Sequence, residues 1–194
     1  LSREQVKKIH DAYLLAAEAH RGQKRQTGES YISHPVAVAM ILADMRLDAE
    51  SIIAALLHDV LEDTAVEKQE LIDRFGRSVA DLVDGVTKLD QIFENRQQAQ
   101  AEYFRKMVLA MSDDIRVILI KLADRLHNLR TIAICSYEKR KRVTQETLGI
   151  FAPIAYRLGM HALSQELKDL GFQAWHPKRY KTLQDAVSKA RGNR

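Results

Sequence analysis

The chain has 194 residues, 46% hydrophobic and 29% charged, the balance of an ordinary globular protein and not of a disordered or fibrous one. A lone cysteine, Cys135, excludes an internal disulfide framework and fits a reducing, cytoplasmic setting, while the lack of any run of about 18 apolar residues or of a signal-peptide pattern argues against a membrane span. The formal net charge of +4 favours anionic ligands without choosing among them.

Apolar residues recur at three- and four-residue spacing almost throughout, and only 3 Pro and 8 Gly interrupt them, so a single all-α domain is expected. Ser2-Arg3-Glu4-Gln5 is a capping-box pattern that opens a helix through Val6, Ile9, Tyr13, Leu14 and Ala17. The stretch 21–30 is a polar, basic loop, after which His34-Pro35 starts a second helix, Pro35 suiting the first turn. Asp48 caps a third helix, which is expected to run through His58-Asp59 to Asp63. Further helices are expected over 67–75 (stopped by Gly76), 78–88 and 96–111. Asp113-Asp114 caps a helix over 115–130 that is apolar nearly all round and should be central and buried. A run over 137–156 should kink or break near Ala152 because of Pro153, and helices over 161–170 and 179–190 close the chain.

The densest chemistry lies in Leu57-His58-Asp59-Val60-Leu61-Glu62-Asp63, four ionisable groups within an apolar helical context. Such groups are costly to desolvate unless paired or metal-bound, and helical period stacks His58 over Glu62 and Asp59 over Asp63. The alternative is that they are the wet side of a surface helix. His34 at a helix start and Asp124 on the buried helix supply further groups of ligand type. Two imidazoles and two carboxylates suit a divalent transition metal such as Mn, Fe or Zn, whereas all-oxygen sites suit Mg and Ca. Singly, His34 also reads as a cap or core residue, and Asp124 as a partner of Arg125 or of a neighbouring helix.

His34, His58-Asp59 and Asp124 follow the pattern of HD-domain metal phosphohydrolases. More narrowly, the chain resembles the hydrolase domain of the RelA/SpoT homologue family of (p)ppGpp enzymes, and most closely its SpoT-type members. The stretches that carry the likeness are 28–35, 55–64, Phe75-Gly76 with 83–89, and 118–131. The resemblance implies an HD-domain helical bundle and hydrolysis of the 3′-pyrophosphate of guanosine tetra- or pentaphosphate, ending the stringent response. It implies Mn2+, in preference to Zn2+ or Fe2+, on His34, His58, Asp59 and Asp124, with Glu62 and Asp63 as the catalytic acidic pair. It further implies nucleotide contacts from Arg25 and Asn128. Thr131 lies on the same helix face as Asn128, and Thr27 is a further candidate, with Lys24 and Ser30 beside it. Gln26 stands where many members carry Lys, Ser30 replaces a usual Pro and Tyr103 a usual Asn. The chain opens on Leu1, and residues from about 177 to 194 are expected to lead into a synthetase domain that the sequence lacks.

Two rival readings stay open. One is an HD phosphohydrolase for another nucleotide, such as a deoxynucleotide or cyclic dinucleotide. The other is a helical nucleic-acid-binding or regulatory module, motivated by Lys139-Arg140-Lys141-Arg142 and Lys178-Arg179-Tyr180-Lys181. These runs lack the stacking aromatics that single-strand binders use, so no nucleic-acid or membrane partner is expected.

Overall fold

The computed structural model describes residues 1–94 and 114–192. The helix expected over 96–111, Tyr103 and Asp113 lie outside the described residues. Within them regular structure is helical, and the only pairing of extended backbone is an isolated antiparallel bridge between Lys24 and Ser30. The all-α architecture expected from the spacing is observed. Two compact units are formed, Leu1–Asp124 and Arg125–Arg194.

In the first unit, α1 (Arg3–Ala19) opens with the expected capping box. Ser2 Oγ accepts from Gln5 N at 3.1 Å and Gln5 Oε1 accepts from Ser2 N at 2.8 Å. Its buried stripe is Ala12, Leu15 and Ala16 and it packs against α3, whereas Val6, Tyr13 and Leu14 are exposed. Helix α2 (Ser33–Asp44) carries His34 and Pro35 in its first turn. Helix α3 (Ala49–Leu57) is capped by Asp48, which accepts from Ser51 N at 2.9 Å. Contacts of α3 with α1, α2 and α6 bury every one of its residues but Glu50. Ile52, Ile53, Leu56 and Leu57 each contribute about 1.5–3 kcal/mol there by leaving water.

The expected single helix through Asp63 is broken. Helix α3 stops at Leu57, and a short α4 (Val60–Asp63) begins after His58 and Asp59. The cause is local. His58 Nδ1 lies 2.7 Å from the carbonyl of Ala55, the acceptor that a continuing helix offers to the amide of Asp59. The chain restarts on the Asp59 carbonyl, which accepts from Asp63 N at 2.9 Å. Helix α5 (Lys68–Phe75) ends at Gly76, whose φ of 92° is open to glycine and strained for other residues. Helix α6 is Arg77–Glu94.

Asp114 opens α7 (Arg116–Arg130) by accepting from Arg116 N at 2.9 Å. As expected, α7 is buried along most of its length, from Val117 to Leu129, and its residues belong to both units. In the second unit, α8 (Tyr137–Glu146) passes into a π-helical turn (Thr147–Phe151) and then α9 (Ala152–Arg157). Pro153 lacks an N–H and crowds the carbonyl four residues back, and the expected interruption takes the form of a widened ladder, with Ala152 N bonded to Thr147 O. Helices α10 (His161–Trp175) and α11 (Pro177–Gly192) follow, and α11 buries none of its residues.

Candidate metal centre

The break between α3 and α4 turns His58 and Asp59 toward the start of α2. His34, His58 and Asp59 each offer a ligand atom, all within 4.8 Å of one another, and both imidazoles are buried. Ligands held at about 2.0–2.2 Å from one ion stand no more than about 4.4 Å apart, so a small contraction would seat a cation. His58 Nε2 lies 3.0 Å from Asp59 Oδ1, and His34 Nε2 lies 3.8 Å from Asp59 Oδ2. Asp124, on α7, joins through His34, its Oδ1 3.1 Å from His34 Nε2.

His58 tests whether these residues suit a metal. Its Nδ1–H is committed to a carbonyl that can only accept, so in the neutral imidazole Nε2 is the nitrogen that presents a lone pair. That atom is buried and makes no hydrogen bond, although a carboxylate oxygen lies 3.0 Å away. Two electron-rich atoms 3.0 Å apart, the nitrogen buried and the carboxylate half-buried, suit a cation between them. The backbone bond also fixes the tautomer and aim of the ring, as supports of metal-bound histidines do. The donor set of imidazoles and carboxylates suits a divalent metal.

Charge around the cluster is graded. Burial alone would raise the Asp124 carboxyl, but Lys121 Nζ at 2.7 Å and His34 outweigh it and hold it well below the usual carboxylate range. Burial pushes His34 below the ordinary histidine value despite the neighbouring Asp124. Tyr31 Oη lies 2.7 Å from Asp59 Oδ2 and 2.9 Å from Asp63 Oδ2. Burial and these two carboxylates raise its phenol far above the ordinary tyrosine value, so it remains a donor.

The remaining candidates occupy three places. Glu62 and Asp63 are exposed on α4, and Asp63 is tied to Asp59 by the Tyr31 hydroxyl. Arg25 and Thr27 belong to the loop before α2, where Gly28 N bonds to Arg25 O and Gly28 takes a φ of 85° to close the turn. Arg25 is half-buried and Thr27 exposed, the latter 3.3 Å from Glu29 Oε2. Asn128 and Thr131 follow Asp124 in the second unit, and Thr131 Oγ1 donates back to the His127 and Asn128 carbonyls. Sequence reasoning missed Tyr31 and Lys121. Lys121 was detectable as a cation one turn before Asp124 on an otherwise apolar helix, whereas nothing local marks Tyr31, whose partners lie 28 and 32 residues away.

An HD domain family model matches residues 12–161. The chain is 55% identical to the bifunctional (p)ppGpp synthase/hydrolase SpoT of Escherichia coli strain K12, across 100% of this chain and 28% of that protein. It is 56% identical to the guanosine-3′,5′-bis(diphosphate) 3′-pyrophosphohydrolase of Vibrio cholerae, with the same two coverages. The chain thus spans 28% of the length of these curated relatives. A solved structure of a metazoan orthologue of SpoT that hydrolyses ppGpp superposes with a TM-score of 0.56 at 26% identity, covering 95% of this chain and 96% of that one.

Proposed function

We propose, from the premise that this chain belongs to the HD domain family, that it hydrolyses the 3′-pyrophosphate of guanosine tetra- or pentaphosphate to GDP or GTP and pyrophosphate. The observation that carries the reading is the buried His34–His58–Asp59 cluster with its unpartnered His58 Nε2, found in a chain alike throughout to relatives named for that reaction. Residues 1–194 act in this reading as one cytoplasmic hydrolase domain.

His34, His58, Asp59 and Asp124 are assigned to hold the cation, and Mn2+ is our choice over Zn2+ or Fe2+ from the RelA/SpoT resemblance. A divalent ion so held would supply Lewis-acid chemistry, drawing charge from a phosphoryl oxygen and acidifying nearby water. The protein's own groups handle the protons. Water adds to the phosphorus attached to the ribose 3′-oxygen, the bond from phosphorus to that oxygen breaks, and the 3′-oxygen takes up a proton. Glu62 and Asp63, exposed beside the cluster, are the carboxylates suited to accept the proton from water and to return one to the leaving oxygen. Arg25 offers a guanidinium for phosphate or for stacking on the base, with the Thr27 hydroxyl beside it in the same loop. Asn128 offers an amide able to read a guanine edge, and Thr131 a further hydroxyl.

A panel of ppGpp, pppGpp, dGTP and a cyclic dinucleotide tests the assignment. GDP, GTP and pyrophosphate should appear from the first two substrates only, and a preference for dGTP overturns the reading.

A further inference from the structure

Beside the metal centre stands a bracket of side chains that the proposed hydrolysis leaves without a task. Tyr31 has one phenolic proton and two acceptors, Asp59 Oδ2 at 2.7 Å and Asp63 Oδ2 at 2.9 Å. With Oδ2 of Asp59 held this way, Oδ1 is the atom that lies 3.0 Å from His58 Nε2. The ring of Tyr31 stacks on His20, with centroids 4.4 Å apart and planes 25° apart, and His20 is 2% exposed. His20 is fixed in turn, its Nδ1 2.8 Å from Gln23 Oε1, so that Nδ1–H donates to the amide oxygen. Gln23 Nε2 donates to the Asp63 carbonyl at 3.3 Å, and Tyr31 N donates to the Gln23 carbonyl at 3.1 Å. The back of the phenol, its backbone and the backbone of Asp63 are therefore tied to one frame at the end of α1.

We propose that Tyr31 is a positioning residue of the metal centre. Its O–H, pressed into place by His20, turns the Asp59 carboxylate so that Oδ1 faces the cation site. The same proton screens Asp59 from Asp63, which keeps Asp63 adjacent to the cluster as a proton-handling group. A cation ligand is most effective when a second group fixes its orientation, and loss of such a group ordinarily weakens metal binding about 10–100-fold. The inference rests on His34, His58, Asp59 and Asp124 being the cation ligands.

Tyr31→Phe is the direct test, because it removes the O–H and leaves the ring on His20. Manganese is titrated into nucleotide-free protein stripped of metal, and free Mn2+ is read from its electron paramagnetic resonance signal. Wild type should bind one ion, and Tyr31→Phe should bind it about 10-fold more weakly. The spectrum of the bound ion should also change, since one carboxylate has turned, and a residue serving stability alone would leave that spectrum unaltered. At saturating Mn2+ the variant should lose kcat on ppGpp with KM unchanged. His20→Leu, which keeps the O–H but removes the stacking ring, should weaken Mn2+ in the same direction by a smaller factor. It carries the test if the phenylalanine variant fails to fold. Mn2+ affinity within twofold of wild type in either folded variant, or tighter, overturns the proposal, and a wild type that binds no Mn2+ overturns it together with the metal assignment. Weakened Mn2+ binding in the variants, alongside a wild type that does not hydrolyse ppGpp, supports the positioning role and sinks the proposed substrate alone.

Discussion

Lys121→Met isolates the electrostatic support of the metal centre. Lys121 and Asp124 are 6% and 3% exposed, and Nζ lies 2.7 Å from Asp124 Oδ2. At an effective dielectric of about 20, a pair at that distance attracts by roughly 6 kcal/mol before desolvation is counted. Desolvation cancels much of this, and removing one partner of a buried pair costs about 3–5 kcal/mol because the other charge is left behind. Methionine nearly refills the volume, so a cavity adds little. For a chain of this length each kcal/mol moves the melting temperature by about 2–4 °C, which sets an expected fall of about 6–20 °C in metal-free protein. The double variant Lys121→Met with Asp124→Asn should lose less than the sum of the two singles, since no orphan charge remains. The acid limb gives a second reading. The folded Asp124 carboxyl lies well below its unfolded value, so its contribution is complete above about pH 4 and is lost as pH falls through the folded value. Wild type should therefore lose stability more steeply than Lys121→Met below about pH 4. Thermal and urea melts in EDTA decide the matter. A Lys121→Met protein within about 1 kcal/mol of wild type would refute the account of Asp124 as a buried carboxylate held by that lysine.

Asp59→Ala should abolish hydrolysis of ppGpp and release the metal, measured by elemental analysis after gel filtration, and retained metal with intact activity would show the ligand assignment to be wrong. Glu62→Gln should reduce turnover about 100-fold or more while leaving metal content near wild type, in keeping with a proton-transfer role. Loss of metal from that variant would make Glu62 a ligand instead. Gly85→Ala should destabilise by about 0–2 kcal/mol. An added Cβ would stand 2.8 Å from Val117 Cγ2, an overpacking that costs about 1–3 kcal/mol, and the better helix propensity of alanine returns about 1 kcal/mol. In a Val117→Ala background the same change should become neutral or stabilising by calorimetry.

The helices were legible because their signals are local. Ser2 with Gln5, Asp48 with Ser51, and Asp114 with Arg116 all act within three residues of each other, so amino-acid order alone announces the caps. The break at His58–Asp59 was not legible, since Leu56-Leu57-His58-Asp59-Val60-Leu61 reads as uninterrupted helix. It arises from a single side chain taking a backbone carbonyl, a choice that residue type permits and does not compel. Pro153 is the intermediate case: an interruption was predictable from the residue, but its form, a π-helical turn over Thr147–Phe151, was not.

Residue types and their order by themselves determined the helical class, the caps and the roster of candidate ligands, because periodicity, capping and donor chemistry act over a few bonds. Folding alone decided that His34 and Asp124, 90 positions apart, would meet at 3.1 Å, and that Tyr31 would bridge the carboxylates of Asp59 and Asp63, 28 and 32 residues away. Such meetings depend on how α2, the α3–α4 break and α7 pack. Packing is a many-body compromise between apolar burial and the need of every buried charge for a partner, and no short window of sequence contains it.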